Sequence, residues 1–161
     1  MLAVREQGKN ERSEYELLKT EGDGTVTEEV IARYFALHQQ IEELPVSSIA
    51  ITPVNYKFRL AGEVKTGGTS AYVYTIAPRK NRLGVAGQLW IDSDTGAEVL
   101  LTGHMRNMTS IGSPADVVRD TKVLNGFPYA RFTHLTFVIA HLGRCELTIK
   151  EYLLSPENEA R

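Results

Sequence analysis

Residues 87–100 read GQLWIDSDTGAEVL, in which a short turn separates two stretches of alternating residues. A three-residue hairpin loop over 94–96, with its glycine in the left-handed conformation, would fix the pairing of the two strands. Leu89 then faces Leu101 on a uniformly apolar face, while Trp90 lies on the opposite, mixed face. The other facing pairs are Ile91 with Val99, Gly87 with Gly103, Trp90 with Leu100, and Gln88 with Thr102. A one-residue slip would destroy this separation, so the sequence predicts a hairpin with one buried face.

The facing glycines of this hairpin carry a second prediction. A glycine inside a strand often marks a bend or a place where another group comes close to the backbone. We therefore expect the sheet to curve near Gly87 and Gly103, with another group lying against them.

Further turn motifs divide the rest of the chain into strands. Gly67-Gly68 separates residues 56–65 from 69–78, and Asn125-Gly126 separates 115–124 from 127–140. Both dipeptides are typical of hairpin turns. A two-residue turn at Asn125-Gly126 would place Asp120 opposite Arg131, where the two would form a cross-strand ion pair.

The last hairpin repeats the pattern of the first. With residues 141–143 as a three-residue loop, Ile139 faces Cys145, and one face is again apolar while the other is mixed. The remaining facing pairs are Phe137 with Leu147, Leu135 with Ile149, Thr136 with Thr148, Val138 with Glu146, and His134 with Lys150. Together these hairpins predict an antiparallel meander over about 55–154.

One long helix precedes the meander, at about 26–43. Thr25 and Glu28 have the spacing of a capping box at its start. Its apolar stripe recurs at helical spacing and comprises Val30, Ile31, Tyr34, Phe35, Leu37, His38 and Ile41. Before the helix, residues 13–20 favour one strand, and we expect residues 1–12 to be disordered.

The order of elements predicts the fold class. Seven to eight strands follow one amphipathic helix, and there are no tandem βαβ units to form a Rossmann fold. The simplest arrangement that buries all of the apolar faces is an α+β fold in which a curved antiparallel sheet wraps the helix. We expect residues 1–161 to form a single domain of this kind.

Composition restricts the classes of partner. A net charge of −2 gives no electrostatic reason to bind nucleic acid or an anionic membrane. No apolar run reaches the length of about 18 residues that a membrane span needs. The N-terminus does not resemble a signal peptide, so we expect a cytoplasmic location if Met1 is the natural start. We expect a monomer.

The sequence contains no recognisable catalytic motif, so we expect a protein that is not an enzyme. The single cysteine, Cys145, is predicted to be buried and inert, and we expect no metal and no cofactor. His38 is expected at the edge of the core. An active site would require His104, His134 and an aspartate to meet in one cleft.

A sheet curved around one helix tends to leave an apolar cleft at its open edge, and such clefts bind hydrophobic molecules. The aromatic residues that line this cleft, or alternatively fill it, are predicted to be Tyr34, Phe35, Phe58, Tyr72, Tyr74 and Trp90. Arg79, Lys80 and Arg82 form a basic loop that is either simply solvated or a docking site for acidic groups.

Several stretches resemble bacterial lipoprotein-sorting proteins of the LolA-like superfamily, in particular its uncharacterised secreted members. The stretches are NYKFRLAG at 55–62, YVYTIAPRK at 72–80, GQLWIDSDTG at 87–96 and GRCELTIKEY at 143–152. The resemblance implies a half-barrel that holds a lipid or a lipoprotein acyl chain in the periplasm or cell envelope. Members usually carry a signal peptide and several strands before the matching region, and this chain is expected to lack those strands. The alternative is a protein-interaction or scaffold module whose core is filled by side chains and which captures a partner on a strand edge.

Overall fold

The computed structural model describes residues 2–7, 13–19, 24–66, 69–107, 115–124 and 127–152. Two helices and nine strands lie within these ranges. The elements are β1 (Leu2–Gln7), β2 (Ser13–Lys19), α1 (Gly24–Glu42), α2 (Val46–Ile49), β3 (Tyr56–Thr66), β4 (Thr69–Pro78), β5 (Gly84–Asp92), β6 (Glu98–Arg106), β7 (Asp116–Leu124), β8 (Phe127–Ile139) and β9 (Gly143–Tyr152).

The main sheet is a seven-stranded antiparallel meander. Strands β3 to β9 pair in sequence order, and β3 and β9 form its two edges, so the sheet is not closed. Since every strand joins its neighbour in sequence by a short connection, the turn motifs alone determine this topology. The predicted α+β class, with an antiparallel sheet and one long helix, is confirmed.

The N-terminal part differs from the sequence-based prediction. Residues 1–12 were expected to be disordered, but Leu2–Gln7 form strand β1, which pairs antiparallel with β2 in a separate two-stranded sheet. Strand β2 occupies Ser13–Lys19, within the predicted range of 13–20. The polar residues Arg5, Glu6 and Gln7 concealed the strand, because pairing with β2 requires only backbone groups.

Helix α1 covers Gly24–Glu42, close to the predicted 26–43. It buries Val30, Ile31 and Leu37, and Tyr34 is half-buried. Thr25 lies within the first turn, so it does not cap the helix as predicted. The apolar stripe supplies most of the helix's stability, as is usual for amphipathic helices in proteins.

The core is a single cluster to which the helix and the main sheet both contribute. Its buried members are Val30, Leu37, Tyr56, Ile76, Val85, Leu89, Leu101, Ala115, Val117, Leu135, Phe137, Ile139, Cys145 and Leu147. Phe137, Ile76 and Ile139 are the largest fully buried apolar side chains. The region between α1 and the sheet is therefore occupied by side chains.

The β5–β6 hairpin has the predicted register over most of its length. Leu89 pairs with Leu101 and Trp90 with Leu100, but Ile91 pairs with Glu98 instead of Val99. The predicted pairing failed next to the turn because Val99 forms a bulge and has no partner on β5. The loop covers residues 93–96, one residue more than predicted, and the bulge restores the predicted register beyond it. Gly96 has a φ of 72°, as the left-handed position in the turn requires.

A carboxylate stabilises this turn from within. Asp92 Oδ1 accepts hydrogen bonds from the Thr95 amide at 2.8 Å, the Thr95 hydroxyl at 2.7 Å and the Asp94 amide at 3.2 Å. The Thr95 hydroxyl and then the Thr95 amide lower the pKa of Asp92 below its usual 3.8, because these donors favour the charged form.

The facing glycines lie where the two backbones approach each other closely. A Cβ atom on Gly87 would overlap the Thr102 carbonyl oxygen, and one on Gly103 would overlap the Ala86 carbonyl oxygen. The predicted close approach is present, but the approaching group is the backbone of the paired strand. Glycine at both positions leaves room for it.

The β8–β9 register differs from the prediction by two residues. Phe137 pairs with Cys145, Leu135 with Leu147, and Ile139 with Gly143. The turn begins one residue earlier than predicted and is closed by the Leu142 amide, which donates to the Ile139 carbonyl at 3.0 Å. A shift of two residues keeps every side chain on its predicted face, so the face pattern could not reveal the error.

The β7–β8 hairpin corrects the predicted ion pair between Asp120 and Arg131. Leu124 pairs with Phe127, as a two-residue turn requires, but a register shift between Lys122 and Val123 places Asp120 opposite Phe132. Asp120 instead bonds the Lys122 ammonium at 2.8 Å. Residues 125 and 126 themselves lie outside the described ranges.

Tyr56 links strand β3 to strand β5. Its side chain is 2% exposed, and its hydroxyl accepts a hydrogen bond from the Val85 amide at the start of β5 at 3.1 Å. Burial raises the pKa of Tyr56, while the Val85 hydrogen bond and the Arg119 charge act in the opposite direction. A buried amide that loses its acceptor is costly, so this bond should matter for stability.

We predict that Tyr56→Phe lowers the free energy of unfolding by about 1–3 kcal/mol, because it leaves the Val85 amide buried without an acceptor. Urea denaturation followed by circular dichroism measures the change. Tyr72→Phe is the matched control, because Tyr72 is 40% exposed. Equal stability of the two variants would contradict the proposed importance of this bond.

The turn carboxylate predicts a pH dependence. A lowered pKa in the folded state means that Asp92 stabilises the protein above its ordinary pKa of 3.8, and that this contribution is lost as the pH falls through the lower folded pKa. Asp92→Asn should therefore be less stable than wild type near neutral pH, and the two should converge in acid. Urea midpoints measured across this range test the expectation. Thr95→Val should give intermediate behaviour, and parallel curves for all three proteins would contradict it.

Candidate functional site

The two faces of the main sheet differ in what covers them. Side chains that stand opposite each other on paired strands share a face. The face with Leu89, Leu101 and Phe137 shares its core cluster with Val30 and Leu37 of α1. We call this the helix face.

Polar contacts tie α1 and the segment that follows it to one end of the helix face. Glu29 Oε2 contacts His141 Nε2 in the β8–β9 turn at 2.6 Å. Asn55, which lies between α1 and β3, accepts a hydrogen bond from the Arg79 amide at the β4–β5 turn at 2.7 Å. The side-chain Nδ2 of Asn55 also donates to the Ser47 and Ala50 carbonyls. The opposite end, beside the β3–β4, β5–β6 and β7–β8 turns, is called the distal half of the helix face.

The distal half carries exposed apolar side chains on β3 and β4. Leu60 is 59% exposed, Tyr72 40% and Phe58 37%. Phe58 contacts Tyr74 nearly edge-to-face, with 6.2 Å between the ring centroids, and Leu60 pairs with Tyr74 across the strands. We call Phe58, Leu60, Tyr72 and Tyr74 the apolar strip. Such a continuous patch at a sheet edge is a candidate binding surface.

The structure brings only part of the predicted aromatic set together. Phe58, Tyr72 and Tyr74 lie in the apolar strip. Tyr34 packs against the core beneath the helix, with its ring centroid 5.8 Å from that of Phe35. Trp90 stands opposite Val73 and Leu100, which places it on the other face of the sheet. It therefore cannot line a site on the helix face.

The sequence itself contained the signal that separates Trp90 from the others. The hairpin pattern had already assigned Trp90 to the mixed face, and the register confirms that assignment. Its indole nitrogen is 3.4 Å from Gln88 Oε1 on the same strand. The alternation of the strand therefore predicted the face of Trp90 better than its aromatic character did.

Next to the apolar strip, the distal half becomes polar. Arg119 on β7 forms a two-pronged ion pair with Glu98 on β6, at 2.7 and 2.8 Å. Both side chains are largely buried, with 30% and 23% of their surfaces exposed. Two parallel hydrogen bonds of this type fix both side chains in one geometry.

Two further polar residues lie beside this ion pair. Thr121 and Arg131 stand directly opposite each other on β7 and β8. Thr121 Oγ1 and Arg131 Nε are buried and have no hydrogen-bond partner. Sequence reasoning missed this pair because it assigned Arg131 to Asp120, and the bulge that separates them left no trace in the turn motif.

The histidines on the opposite face do not form a cleft. His104 Nδ1 bonds Asp116 Oδ1, and His134 Nδ1 bonds the Thr148 hydroxyl at 3.0 Å. Their side chains are 70% and 43% exposed, and each has its own partner. Within the described ranges, no group of three or more His, Cys, Asp or Glu side chains could hold a metal ion.

The basic loop and the cysteine that the sequence singled out make contacts that stabilise the fold. The side chain of Arg79 donates to the Pro53 carbonyl at 3.1 and 3.2 Å, and Asn107 bonds the Arg82 carbonyl at 2.8 Å. The predicted basic loop thus helps to join the segment before β3 to the β4–β5 turn. Cys145 is buried in the core, as predicted. In the described part of the chain, no helix is both long and apolar enough to cross a membrane.

Comparison with known proteins adds no assignment. A scan against protein-family models, a search of curated proteins and a search of solved structures each returned no match to this chain. The candidate site therefore has to be interpreted from its own chemistry.

Proposed function

We propose that this protein binds the apolar chain of a lipid, or the acyl chain of a lipoprotein, on the distal half of the helix face. The observation that carries the proposal is the apolar strip, where Leu60 remains 59% exposed beside Tyr72 and Phe58. In this proposal the sheet forms a half-barrel of the LolA-like kind around α1, and the protein works in the cell envelope.

The position of the strip decides where a ligand would lie. The region beneath α1 is filled by core side chains such as Phe137 and Ile139, which are 2% exposed. An acyl chain would therefore lie beyond the helix, over the distal half of the helix face. Side chains on this path that are neither fully exposed nor fully buried include Tyr74 and Ile91.

The energetics of acyl chains suit such a surface. Each buried methylene contributes about 0.8 kcal/mol, so ten methylenes supply about 8 kcal/mol before the cost of association. Binding of this kind needs contiguous apolar area and few polar groups. The residues of the apolar strip supply that area without any reaction chemistry.

We predict that Leu60→Glu weakens binding of a fluorescent fatty-acid probe by about tenfold, because the charge removes apolar contact worth about 1.5 kcal/mol. Saturation fluorescence titration gives the dissociation constant. Val138→Glu is the matched control, because Val138 is 45% exposed and lies on the face of the sheet opposite the apolar strip. Folded wild-type protein that binds no probe, or two variants that bind equally, would contradict the proposal.

A second candidate function rests on the sheet edge. Strand β3 is an edge strand of the main sheet, and such an edge can capture an extended segment of another protein by strand addition. The same exposed residues would then contact the partner's side chains. This is the interaction-module alternative, in which the filled core needs no ligand.

Native mass spectrometry followed by lipid extraction separates the two functions. A co-purified acyl species would support lipid binding. A co-purified polypeptide, together with slower amide hydrogen exchange in β3, would support strand capture. Amide exchange reports directly on new backbone hydrogen bonds, so it distinguishes strand addition from contacts between side chains alone.

A further inference from the structure

Two unpartnered polar groups lie on the helix face at the far side of the proposed lipid site. Thr121 is 5% exposed, and its Oγ1 has no hydrogen-bond partner. Arg131 Nε is buried and likewise lacks a partner. The two residues are cross-strand neighbours on one face, where the Cβ atoms of such pairs are about 5 Å apart.

The neighbouring carboxylates do not neutralise Arg131. Glu98 is held by both of its oxygens on Arg119. Asp120 bonds Lys122 on β7. Glu151 stands directly opposite Arg131 on β9, yet Arg131 Nε has no hydrogen-bond partner. Among the described residues, no carboxylate lies within salt-bridge distance of Arg131.

An unpartnered buried donor carries a free-energy cost that folding alone does not recover. The guanidinium of arginine presents several N–H donors in one plane, and a threonine hydroxyl adds another donor. Neighbouring donors that carry one positive charge complement a carboxylate.

We propose that Thr121 and Arg131 bind the carboxylate head group of a fatty acid whose chain lies across the apolar strip. This inference rests on the proposed function and names its ligand class. Strand β8, which carries Arg131, is four strand spacings from β4, which carries Tyr72, or about 19 Å. A long-chain fatty acid lying across the strands spans such a distance.

The Glu98–Arg119 ion pair lies on β6 and β7, between the apolar strip and Arg131. It determines which head groups Arg131 selects. Because Glu98 already satisfies Arg119, a ligand carboxylate meets only one unpaired cation. The site therefore favours a monoanion.

The test compares a long-chain fatty acid with the fatty alcohol of the same length in displacement titrations. Wild-type protein should bind the acid about tenfold more tightly than the alcohol. Arg131→Gln should remove this preference by weakening binding of the acid, and Thr121→Val should reduce it. Arg144→Gln is the matched control, because the Arg144 side chain is 71% exposed and pairs with Val138 on the opposite face.

The outcomes distinguish failure of the proposed function from failure of the proposed carboxylate site. If wild type binds neither ligand, the proposed function itself is wrong. If wild type binds acid and alcohol equally, or if Arg131→Gln keeps the preference, the carboxylate site is wrong while lipid binding stands.

A stability measurement distinguishes a ligand-binding arginine from a structural one. Arg131→Gln should leave the urea midpoint of the free protein unchanged or raise it, because no ion pair is lost. A lower midpoint would indicate a structural role and overturn the assignment.

Discussion

The alternation of side chains between the two faces of seven consecutive antiparallel strands is the constraint on which the rest of the structure depends. Each strand contributes apolar side chains to the helix face, and the stripe of α1 covers the end of that face where Phe137 and Ile139 are buried. Burying one continuous apolar face is the dominant stabilising contribution in a sheet with one helix. The strand register then determines which side chains lie on the part of this face that the helix does not cover.

Register explains both what the sequence could predict and what it could not. The hairpin centred on residues 94–96 revealed which face is buried, because only one pairing separates apolar from polar residues. The β8–β9 pairing was wrong by two residues, since a shift of two residues preserves the faces. Ile91 and Asp120 were assigned wrong partners because bulges near Val99 and Val123 add a residue to one strand. Bulges depend on local backbone geometry, which no turn motif encodes.

The candidate site shows the same division. Phe58, Tyr72 and Tyr74 could be predicted as neighbours from aromatic character and strand position. Trp90 could not join them, because alternation places it on the other face. The pairing of Thr121 with Arg131 is invisible in the sequence, since it exists only after the bulge has moved Asp120 away from Arg131.

This displacement links the fold to the proposed binding site. Had the hairpin kept its simple register, Asp120 would have neutralised Arg131 and the distal half would have no unpaired charge. The bulge instead leaves Arg131 Nε and the Thr121 hydroxyl without hydrogen-bond partners on the helix face. Natural proteins tolerate such local costs chiefly where a ligand recovers them. The core beneath α1 supplies stability that offsets this cost. The apolar strip supplies the surface for the chain of the proposed ligand.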